Sequence, residues 1–171
     1  MLIDNPLLKD IDNYPDLIPI YQKVKGSNVL HDLYSIDFMN IKFKDIEYIK
    51  QSIQSPSYKS IKKVLKIVFG FKDFENLRVY EFYQAWNYIT DQIKTILESE
   101  KSLHTEPSHR LVNAGIENLS IFGVLNILDD IGQRYSVPPQ EVEKWTYGWV
   151  FSIALKMKRE ADIKRNLEDE H

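Results

Sequence analysis

The chain has 171 residues, 43% of them hydrophobic and 12% aromatic, with a net charge of -3 and no cysteine. So much apolar mass excludes wholesale disorder and suits one domain, or two small helical subdomains sharing a core. The lack of cysteine excludes a disulfide framework, a thiolate zinc site and a cysteine nucleophile. No apolar run approaches the ~18 residues needed to span a bilayer. Met1-Leu2-Ile3-Asp4-Asn5-Pro6 lacks the basic start and apolar core of a signal peptide, so the expectation is a soluble chain made in a cytoplasm.

Charge is segregated along the chain. Between Ile41 and Lys72, lysines 42, 44, 50, 59, 62, 63, 66 and 72 stand against only Asp45 and Glu47. This stretch carries +6, which leaves -9 for the rest of a -3 chain. One basic patch on an otherwise acidic protein points to head-to-tail self-association or an acidic partner, although a plain solvated face has the same pattern.

Residues 1–28 read as an arm, punctuated by Pro6, Pro15 and Pro19 and closed by Gly26-Ser27-Asn28. Its apolar residues must pack along their own domain or dock onto a neighbour. Residues 29–36 are of indefinite type. A helix follows over about 42–54, with Phe43, Ile46, Ile49 and Ile53 on one face. Ser55-Pro56-Ser57 ends it and suits the start of another.

That next helix, about 57–69, turns Ile61, Val64, Leu65 and Val68 inward and stops at Gly70. Lys59, Lys62, Lys63 and Lys66 fall at i, i+3, i+4 and i+7, so they form a basic stripe on its other side. A long helix over about 78–102 aligns Val79, Phe82, Trp86, Ile89, Ile93 and Ile96, with Phe82 and Trp86 as anchors of the N-terminal bundle. Asp73, Glu75 and Asn76 precede it, where negative charge suits the helix dipole.

Leu103–Ser108 is the clearest break. It separates an N-terminal helical subdomain, 29–103, from a C-terminal corner and charged tail, 108–171, although 29–171 can equally form one domain. The spacing predicts a helix over about 114–135 containing Gly115, Gly123 and Gly132. A final helix is predicted from Pro139 to Leu167, about 29 residues or ~43 Å. Val142, Trp145, Trp149 and Ile153 share one of its faces, and Val142, Trp145 and Trp149 are expected to hold the corner against Leu125 and Leu128. The fold reads all-α: an irregular bundle of about five to six helices with an extended N-terminal arm and a long charged C-terminal helix.

Catalytic signals are thin. His31-Asp32 lacks the accompanying ligands of a metal pair, and imidazole ligands come in geometric sets. His104 and His109 flank Glu106 in a loop. Asp129 and Asp130 are neighbours on a helix and point about 100° apart, so they form no close acid/base pair. No phosphate loop, serine nucleophile motif or zinc-helix motif is present, so no catalytic, metal or cofactor residue is assigned and no enzyme is expected.

Residues 125–145 also have the apolar spacing of a helix-turn-helix DNA reader. Its second helix would offer Gln140, Glu141, Glu143 and Lys144, and carboxylates repel phosphates. This DNA-binding regulator is the alternative reading.

The stretch from Ala114 to Asp169 resembles the C-terminal region of small all-helical bacteriophage morphogenesis proteins, notably tail-assembly-chaperone-like proteins. The resemblance lies in Tyr135, Pro138, Glu141, Val142, Trp145 and Tyr147, followed by the charged helix from Met157. Residues 36–97 resemble the N-terminal half of such proteins, so the likeness covers roughly 36–168. It implies a non-enzymatic protein of the virion neck, connector or tail ring, or an assembly chaperone. It further implies other phage structural proteins and further copies as partners, and residence in the host cytoplasm and then the virion. Lys59, Lys62, Lys63 and Lys66 are then the interaction surface, with nonspecific DNA contact open to them.

Overall fold

The computed structural model describes residues 7, 19, 36–71, 76–104, 113, 115, 118 and 122–169. The arm apart from Leu7 and Pro19, the 29–35 segment with His31-Asp32, the loop from 105 to 112 with His109, and His171 lie outside the described residues. The architecture is all-α: the described residues include six α-helices with defined bounds and a 3-10 turn at Phe38–Asn40, and no strand occurs among them. The helices are α1 (Phe43–Gln54), α2 (Tyr58–Phe69), α3 (Val79–Lys101), α4 (Val124–Tyr135), α5 (Pro139–Val142) and α6 (Tyr147–Asp169).

The chain forms two compact units, one of Met1–Asp37 with Glu47–Ile96 and one of Phe38–Ile46 with Leu97–His171. The division thus falls at Ile96 within a helix, where the sequence breaks at Leu103–Ser108, and Phe38–Ile46 joins the C-terminal part.

In the first unit, α2 begins with a reciprocal capping box. Ser57 Oγ accepts from the Ser60 N–H at 3.1 Å, and Ser60 Oγ accepts from the Ser57 N–H at 2.8 Å. Gly70 ends the helix at φ 70°, a left-handed conformation that favours glycine, and its N–H donates to the Lys66 carbonyl. Val64, Leu65, Val68 and Phe69 are buried from α2, as are Val79, Phe82, Ala85, Ile89, Ile93 and Ile96 from α3. At the start of α3, Glu81 Oε2 accepts from the Arg78 N–H at 3.0 Å. Leu7 makes an isolated antiparallel bridge to Arg78, so this one arm residue pairs within its own chain.

In the second unit, two predicted helices are shorter than their hydrophobic pattern. The helix expected from 114 begins only at Val124, because Gly115 at φ 83° and Gly123 at φ 47° hold conformations that a right-handed helix cannot contain. The helix expected from Pro139 onward breaks after one turn. Backbone groups that would have continued it are captured by the segment around Lys42: Trp145 O accepts from the Phe43 N–H at 2.8 Å, Glu143 O from Lys44 at 3.1 Å, and the Tyr147 N–H donates to Ile41 O at 2.7 Å. Helix α6 restarts at Tyr147 and runs 23 residues, roughly 34 Å.

Candidate functional site

The most distinctive surface among the described residues is the outer face of α2. Lys59, Lys62, Lys63 and Lys66 are all exposed, as the i, i+3, i+4, i+7 spacing predicts. The helix contains no acidic residue. Lys63 Nζ lies 3.7 Å from the centre of the Tyr48 ring, a cation–π contact that fixes its ammonium group. Among the described residues, Lys59, Lys62 and Lys66 have no ion-pair partner. Tyr58, at the start of the stripe, is 60% exposed.

A second exposed face lies on α4. Leu128, Ile131 and Gly132 turn inward, leaving Leu125, Asp129, Asp130 and Gln133 outward, with Phe122 just ahead of the helix. Asp129 and Asp130 are unpaired among the described residues.

The C-terminal corner is real, but only part of its predicted set holds it. Val142 is fully buried, and Trp145, half-buried, meets the Tyr135 ring edge-on at 5.5 Å. Trp149 is 54% exposed. The interruption at 143–146 resets the phase of α6, so Tyr147, Val150 and Ile153 become the inward residues and Trp149 turns to solvent. Leu125, its predicted partner, is likewise exposed.

Two other features build the corner. Ser136 takes φ 55° after α4, and Val137 N–H donates to Gly132 O at 3.0 Å, a Schellman-type closure. A Cβ on Gly132 would lie 2.7 Å from Val137 O, so glycine is required for this close approach.

Sequence reasoning named Tyr147 only for the resemblance and gave it no place in the core. It is 1% exposed, its ring stacks on Phe43 and on Phe151, each at 6.0 Å, and its hydroxyl donates to Glu100 Oε1 at 2.7 Å. Its hydrophobic neighbours at three-residue steps, Val150 and Ile153, were the available signal. Phe82, expected with Trp86 to anchor the N-terminal bundle, is buried and stacks on the half-buried Trp86 at 6.3 Å.

On the outside of the corner, Arg134 donates to Glu160 through both terminal nitrogens, at 2.8 and 3.1 Å. The hydrogen bonds and charge of Arg134 hold the Glu160 carboxyl below the ordinary glutamate range. The same hydrogen bonds, with Glu160's charge, push the Arg134 guanidinium further up.

Among the described residues no group of three or more His, Asp or Glu side chains is placed to hold a metal ion. No helix among them is long and apolar enough to cross a membrane. The helix that would read DNA bases in the alternative is the four-residue α5, and its Glu141 pairs with Lys144 at 2.7 Å. No protein-family model, curated protein or solved structure matches the chain.

Proposed function

We propose that this chain is a non-enzymatic assembly protein of bacteriophage particles, a neck, connector or tail ring component or a tail-assembly-chaperone-like factor, that works through protein-protein contacts. The carrying observation is the lysine face of α2. Like charges three and four residues apart destabilise a helix by about 0.2–0.5 kcal/mol per pair, and this helix holds four lysines at such spacings with no carboxylate among them. An acidic protein surface laid on the face removes that repulsion and gains opposite-charge contacts.

The pattern Tyr135, Pro138, Glu141, Val142, Trp145 and Tyr147 supports the phage setting by resemblance. The partners are then other phage structural proteins and further copies of the chain, met in the host cytoplasm and retained in the virion. The lysines equally attract phosphates, so nonspecific DNA contact is the competing use of this face. A base-reading role for residues 125–145 is poorly served by a one-turn α5.

Light scattering across a concentration series, with and without a short DNA duplex, tests the reading. An oligomer that ignores DNA and is lost in K62E/K66E at unchanged helicity is the expected result. An oligomer untouched by K62E/K66E removes the α2 face from the account. A protein that moves onto DNA at moderate salt, with affinity falling steeply as salt rises, transfers the face to nucleic acid.

A further inference from the structure

Several carboxylates elsewhere on the described helices pair with a cation on the same helix. Glu47 pairs with Lys50 on α1, Asp91 with Lys94 and Glu98 with Lys101 on α3, and Asp162 with Lys158 and Arg165 on α6. Two helices contrast with these in opposite senses. Helix α2 exposes lysines and has no acid, whereas α4 exposes Asp129 and Asp130 and commits its one cation, Arg134, to Glu160 on α6.

Resting on the reading of α2 as a protein-binding face, we infer that the surface it meets is the outer face of α4 on a second copy of this chain. Charge is one reason, and register is another. Tyr58, 60% exposed, precedes Lys62 and Lys63 by four and five residues; Leu125, 53% exposed, precedes Asp129 and Asp130 by the same steps. Laid side by side in the same chain direction, the two faces bring tyrosine to leucine and both lysines to both aspartates in one register. Phe122, 49% exposed at the start of the α4 face, extends its apolar end.

Such a contact joins unlike faces, so each copy still offers one lysine face and one aspartate face. It therefore propagates head to tail, and closes into a ring where the rotation between copies permits. The apolar ends exclude water around the ion pairs, which strengthens them relative to a fully solvated rim.

Sedimentation velocity on the full chain separates this inference from the reading beneath it. Wild type is expected to form salt-sensitive oligomers, and K62E/K63E and D129K/D130K each to sediment as monomers with wild-type helicity. Mixing the two variants sets the intact lysine face against the intact aspartate face and the two reversed faces against each other, so the mixture is expected to regain oligomers in which the variants alternate. Combining all four reversals in one chain restores the oligomers. If K62E/K63E dissociates the protein while D129K/D130K does not, the α4 assignment fails and the lysine face stands with another counterpart. Oligomers that survive K62E/K63E overturn both, and a wild type that stays monomeric at every concentration overturns the self-contact.

Discussion

The phenol of Tyr147 is almost wholly enclosed, between aromatic rings on two sides and a carboxylate at its tip. Removing only the hydroxyl, in Tyr147→Phe, leaves a part-buried Glu100 oxygen without this donor and is expected to cost about 1–2 kcal/mol in a denaturant titration. Trp149→Ala, two residues later, removes a larger side chain from a site that is 54% exposed. Its cost should stay within about 0.5 kcal/mol, and a larger loss would restore Trp149 to the corner. Gln84 offers the opposite case. It is 8% exposed, its Nε2 donates to the Tyr80 hydroxyl at 2.8 Å, and its Oε1 has no partner among the described residues. Gln84→Met removes that buried carbonyl while the part-exposed Tyr80 hydroxyl can turn to water, so stability should rise by about 1 kcal/mol.

Between elements, the α4–α5 corner depends on backbone proximity more than on side-chain bulk. Gly132→Ala places a methyl 2.7 Å from Val137 O, and neither backbone can yield without opening the Schellman closure. A loss of about 2–3 kcal/mol is expected by thermal or chemical unfolding. Ser136→Gly should act in the other direction, since φ 55° strains any residue with a Cβ. The Arg134–Glu160 pair then ties the end of α4 to α6. Its contribution is present above the ordinary glutamate range and is lost as pH falls through the lowered Glu160 value. Carbon-detected NMR titration should find the Glu160 carboxyl below that range in wild type and back within it in Arg134→Ala. Both side chains are well exposed, so the pair orients the helices more than it stabilises them.

At the scale of the whole molecule, a charge of -3 conceals a lysine-only face and an aspartate-bearing face on different helices. Net charge alone would keep copies weakly apart; in the proposed contact the segregation gives them a preferred approach. Raising salt should dissociate the proposed assembly, because exposed charges are screened beyond about 8–10 Å at physiological ionic strength. Sedimentation at two salt concentrations checks this, and an assembly that strengthens with salt would shift the account to the exposed apolar residues.

Local rules written in the sequence were enough for the all-α class, the serine start and glycine stop of α2, the periodic core of α3 and the lysine stripe. Each depends on residues within a few turns of one another, through side-chain period, caps and left-handed glycine. Tertiary structure decided where helices break and how their faces are phased. The apolar pattern through Val142, Trp145 and Trp149 continues one helix across residues 143–146, and nothing nearby in sequence opposes it. Backbone groups of residues 41–44, about a hundred positions earlier, take those hydrogen bonds instead. Once they do, α6 starts at Tyr147, the phase turns, Tyr147 enters the core and Trp149 leaves it. A short-range periodicity cannot anticipate a competitor for backbone hydrogen bonds that only folding brings near.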